Sequence, residues 1–121
     1  MIKQEFSIPM DELLMRIREK IKGLDAEIFA EIDHSQNAER VGMSLEPTKV
    51  LIFGNPKVGT ILMQEKREIA YELPLRLAIW SSGEKTYVAY ELPSEIASRY
   101  GITNRDVLRK MDSFMENVLK L

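Results

Sequence analysis

The first place where this sequence could do chemistry is Asp33-His34, at the end of the run Phe29-Ala-Glu-Ile-Asp-His34 that contains the chain's single histidine. Histidine titrates near neutrality and is the commonest metal ligand. Two functional readings follow. His34 is a general base oriented by Asp33, or it ligates a divalent metal such as zinc with Asp33 and Glu31 nearby. Adjacent residues of a strand point to opposite faces, which works against a joint Asp33–His34 site. The structural alternative has Asp33 capping a short helix, with His34 in its first turn.

The second place is the loop Gly54-Asn55-Pro56-Lys57-Val58-Gly59-Thr60, which follows a compact apolar run. A glycine-containing loop between a strand and a helix N-terminus can hold an anion on free N–H groups. Asn55 and the N–H groups of residues 57–60, Gly59 among them, would do so here, with Lys57 adding positive charge, Thr60 a hydroxyl and His34 a switchable charge. The order is neither that of a Walker loop nor that of a dinucleotide fingerprint. The alternative is a plain connector in which Gly54 and Gly59 serve backbone shape. Both candidate segments follow strands, and neighbouring strand ends could bring His34 and Asn55 into one pocket.

Other residues lean towards structure. Trp80 and Tyr71, Tyr87, Tyr90 and Tyr100 could line a pocket, but strand aromatics are more often core or interface. Met111 and Met115 are core or dimer-contact material. The run Glu65-Lys-Arg-Glu68 reads as a solvated helix face.

The elements that must position these residues follow from periodicity. Ile2, Gln4, Phe6 and Ile8 give a short strand over 2–8. Pro9 suits a first helical position, and Met10, Leu13, Leu14, Ile17 and Ile21 line one helix face, stopped by Gly23. Residues 27–33 alternate, with Ile28, Ala30 and Ile32 on one side. A short helix over 35–41 ends at Gly42, with Ala38, Val41, Met43 and Leu45 as anchors. Thr48 to Phe53 is a central strand. A helix capped by Thr60 should reach about Tyr71. Leu75 to Trp80 and Thr86 to Glu91 form a hairpin around residues 81–85. A short helix starts at Pro93, and Asn104 caps a final amphipathic helix. The expected fold is α+β and two-layer, a mostly antiparallel sheet with helices covering one face, in one domain over residues 1–121.

Composition excludes several functions. The chain has 121 residues, 45% hydrophobic and 30% charged, as folded domains do. It lacks cysteine, so disulfides, thiolate nucleophiles and cysteine metal sites are out. A net charge of −2 without a Lys/Arg cluster argues against nucleic acid. No run approaches a membrane span, and the first residues do not resemble a signal peptide, so a cytoplasmic protein is expected.

The chain resembles a known bacterial family on a set of short segments: Phe29 to His34, Gly42, Leu45, Pro47-Thr48, Ile52-Phe-Gly-Asn-Pro56, Gly59-Thr60, Leu62-Met63, Leu73-Pro74-Leu75 and Tyr90. It is the family called domain of unknown function 302. The resemblance implies a β-α-β4-α topology, here with short extra helices, and a homodimer. It brings no activity. Three functions stay open: a homodimeric module binding a small anionic or polar ligand near His34 and the Asn55 loop, an enzyme using His34, and an interaction protein.

Overall fold

The computed structural model describes all 121 residues. Five strands form one sheet in the order β1-β5-β4-β3-β2, where β1 is Ile2–Phe6, β2 Glu27–Asp33, β3 Thr48–Gly54, β4 Leu75–Ser82 and β5 Lys85–Tyr90. Every neighbouring pair is antiparallel. It follows that β1 and β2 run in the same direction at opposite edges of the sheet. The helix between them, α1 (Met10–Gly23), connects one edge to the other.

The first layer is built by alternation. Leu51 and Phe53 of β3, Leu75, Leu77 and Ile79 of β4, and Thr86, Val88 and Tyr90 of β5 are buried on one face. Met10, Leu13, Leu14, Ile17 and Ile21 of α1 pack onto them, as their spacing requires. The final helix α5 (Arg105–Val118) adds Met111, Met115 and Val118. Phe114 of α5 meets Phe53 of β3 with ring centroids 5.9 Å apart. The stripe on α5 is therefore spent inside the chain. Thr86 is the one buried polar side chain, and its hydroxyl donates to Ile8 O at 2.7 Å.

The second sheet face has no such cover. Ile32, Val50, Ile52, Ala78 and Trp80 point there by register, and none joins the core. Trp80 stacks on Tyr87 across β4 and β5, with centroids 5.7 Å apart.

The expected α+β fold and β-α-β4-α order are observed, with α2 (His34–Arg40), α3 (Pro56–Glu65) and α4 (Pro93–Ser98) as the extra short helices. Five local expectations need correction. Pro9 is the residue before α1 rather than its first position. The third helix starts at Pro56, not after Thr60, because Asn55 caps it and Pro56 occupies the first turn. It ends at Glu65, and a separate 3₁₀ turn spans Arg67–Tyr71. The alternation of β2 breaks at Phe29: Ile28 pairs with Phe53 but Ala30 with Ile52. Phe29 is thus the extra residue of a bulge. Ile28 faces the core, whereas Ala30 and Ile32 lie on the open face. Val41, Met43 and Leu45 anchor nothing, being 71%, 66% and 49% exposed.

Candidate functional site

The structure puts the two sequence candidates at opposite ends of one strand pair. In the β2–β3 ladder, Asp33 pairs with Lys49 and Glu27 with Gly54. His34 follows Asp33, and Asn55 follows Gly54. Six residue steps separate the two ends, about 20 Å of strand. A shared pocket would need the strands to run in parallel, and they are antiparallel. The expected joining of His34 with the Asn55 loop is therefore corrected by the pairing itself.

At the His34 end the polar groups serve the fold. The Asp33 carboxylate accepts the N–H of Gln36 at 3.0 Å and so caps α2. His34 is the first residue of that helix and is exposed. The Ser35 hydroxyl donates to Glu46 O at 2.9 Å and accepts from the N–H of Thr48 at 2.7 Å, closing the excursion between β2 and β3. Glu31 is held by Arg18 at 2.5 Å and lies 3.8 Å from Lys49. No three His, Asp or Glu side chains converge as a metal site would require.

The other end opens into a cleft of about 420 Å³. One wall is α3 with Val58, Gly59 and Met63, and the facing wall is α5 with Met111 and Phe114. Leu73 and Pro74 close the floor, and the bulged Phe29, 48% exposed, stands at the β2 side with Leu24. Asn55, Thr60 and Lys110 are the polar side chains among these walls. Of the residues expected at a site, the structure thus brings Asn55, Gly59 and Thr60 together. Lys57 is exposed and outside the cleft lining.

The anion-holding role expected of the loop backbone is largely taken by the chain itself. The Asn55 side-chain oxygen accepts the N–H groups of Lys57 at 2.9 Å and Val58 at 3.4 Å. The Gly59 N–H donates to Asn55 O at 3.0 Å. The Thr60 hydroxyl donates to Pro56 O at 2.6 Å. What stays open is the Asn55 amide nitrogen, whose single contact is Asp25 O at 3.5 Å.

Gly59 sits within α3, where alanine would be more stable by roughly 1 kcal/mol. A Cβ there would meet Leu73 and Met63 at 3.9 Å, an ordinary contact. Nothing in the backbone demands glycine, so what its missing side chain provides is space in the cleft. Sequence reasoning missed Phe29, Met63, Lys110 and Phe114 as wall residues. A signal existed for one of them: Lys110 lies one turn before Phe114, at the i, i+4 spacing of one helix face, on the border of the apolar stripe of α5.

With this geometry in view, comparison with known proteins gives a family. The description "Domain of unknown function DUF302" matches residues 2–118. The chain belongs to the DUF302 family. The crystal structure of an uncharacterized conserved DUF302 protein from Bacillus stearothermophilus has the same fold, with a TM-score of 0.87 and 16% identity over 98% of this chain and 94% of that one. The chain is also similar to the fluoride-specific ion channel FluC 1 of Brucella suis, 37% identical over 92 residues. That match takes in 75% of this chain and 36% of the channel protein. FluC 1 of Brucella abortus matches equally, with 34% of its length covered. This DUF302 chain therefore spans about a third of the curated relatives it matches. No helix of it is long and apolar enough to cross a membrane.

Proposed function

We propose that this DUF302 chain is a small-molecule binding module whose site is the cleft between α3 and α5, and that it works as a homodimer. The observation that carries the reading is the cleft: about 420 Å³ of space, walls that are mostly apolar, and three polar side chains, Asn55, Thr60 and Lys110. Small-molecule sites have this size and build, roughly 300–1,000 Å³ with few polar groups. The cleft is poorly equipped for acid–base chemistry. Lys110 is its one titratable lining residue, and the hydroxyl of Thr60 is turned to Pro56. Binding is the better reading than turnover.

The dimer part rests on the open sheet face. Val50, Ala78 and Trp80, with Ile52 beside Arg76, form a half-buried apolar strip without a helix layer, and an apolar strip left open on a sheet face suits an interaction site. A second copy of the chain is the proposed cover.

The Brucella relatives are named as fluoride channels, and the matched third corresponds to a chain without a spanning helix. An accessory binding domain is the role this suggests. Fluoride is not the proposed occupant. A bare halide needs several donors, and the first-turn N–H groups of α3 are already used by Asn55.

The test is thermal stability against a panel of apolar small molecules, with wild type and the cleft-filled variant Val58→Trp side by side. A ligand at 100 times its Kd should stabilise the wild type by about 2.7 kcal/mol. The filled variant should lose that gain. Equal gains in both proteins would contradict the site.

A further inference from the structure

We infer that the molecule held in this cleft is an amphipathic monoanion, an apolar body ending in one carboxylate or similar acidic group, with the acid at Lys110. The inference rests on the cleft being the binding site proposed above, and it adds the class of ligand. Three observations carry it.

The first is the charge of the lining. The chain has 19 Asp and Glu residues, yet none lines the cleft. Lys110 is the sole charged lining residue. Low-dielectric walls lined by one sign of charge focus the field and select the opposite sign.

The second is that Lys110 has no carboxylate within ion-pair distance. The nearby Asp106 lies 4.0 Å from Arg109 instead. Lys110 also stands next to Met111 and Phe114, so an ion reaching it slides its apolar part along those side chains.

The third is the spare donor of Asn55. Its amide nitrogen has one long contact, 3.5 Å to Asp25 O, and two hydrogens to donate. Lys110 offers an acid head a charged hydrogen bond, and the Asn55 amide is a further donor on the same lining, open to an acid and an alcohol alike. A cation would face Lys110, and a neutral apolar molecule would leave both donors unused. A small inorganic anion would leave the apolar walls wet.

The experiment is calorimetric titration with octanoate, 1-octanol and octylamine, on wild type and on Lys110→Gln. Lys110 is exposed, so the substitution leaves the core untouched. Octanoate should bind wild type about tenfold more tightly than octanol, the worth of one charged hydrogen bond. Octylamine should bind most weakly. Lys110→Gln should erase the preference for octanoate and leave octanol unchanged. Equal binding of octanoate and octanol to wild type, or a preference that survives Lys110→Gln, overturns the acid assignment alone. If none of the three binds wild type, the cleft reading falls with it.

Discussion

His34 and Asn55 stand at opposite ends of the same antiparallel strand pair, one after Asp33↔Lys49 and the other after Glu27↔Gly54. Sites this far apart with no shared partner contribute independently. His34→Ala should therefore leave ligand affinity at the cleft unchanged, within about twofold. Titrating both proteins with the same ligand checks this. A tenfold loss in His34→Ala would show that the two ends are coupled.

Gly59→Ala separates stability from binding. The new methyl group has room against Leu73 and Met63, and it removes a glycine from a helix. Urea unfolding should show a gain of about 0.5–1 kcal/mol. Ligand affinity should fall, because the methyl enters the cleft. A variant that is more stable and binds as well as wild type would remove Gly59 from the site.

Glu65 ties the end of α3 to the start of α5. Its carboxylate accepts from the Thr103 hydroxyl at 2.6 Å and from the Thr103 N–H at 2.5 Å. These bonds hold the Glu65 carboxyl below its ordinary value of 4.5, the hydroxyl bond acting most strongly. A depressed carboxylate contributes stability above pH 4.5, and the contribution disappears as the pH falls through the folded value. Melting temperatures of wild type and Glu65→Ala should thus differ at pH 7 and draw together below pH 4.5. A gap that stays constant down to pH 3 would contradict the tie.

The open sheet face makes the dimer testable. Sedimentation of wild type should report two chains. Val50→Lys, which places a charge between Ile32 and Ala78 in the middle of the strip, should give a folded monomer with cleft binding intact. A wild type that sediments as a monomer would refute the dimer outright.

Much of the fold was legible because periodicity is a property of the chain alone. The stripe Met10, Leu13, Leu14, Ile17 and Ile21 could only be a one-faced helix, and it is buried. Asp33 and Asn104 were readable as caps from their side chains, and both accept a helix N–H. Strand order was not legible. It depends on long-range pairing, and the antiparallel β2–β3 ladder is what separates His34 from Asn55. The bulge at Phe29 was equally hidden, since alternation of residue types carries no mark of an inserted residue. The cleft is hidden for a related reason. Its walls come from residues up to 90 positions apart, Leu24 to Phe114, that only the packed helices bring together.

The central claim is that a small molecule occupies the cleft between α3 and α5. The chain contains seven methionines, and two of them, Met63 and Met111, line that cleft. Met15 and Met43 are exposed and do not line it. The most direct measurement is a titration of ¹³C-methyl-methionine protein with octanoate, followed by NMR. The account predicts saturable shifts of the Met63 and Met111 methyl signals, with Met15 and Met43 still. Unmoved Met63 and Met111 signals at saturating octanoate, or shifts confined to the other methionines, would contradict it.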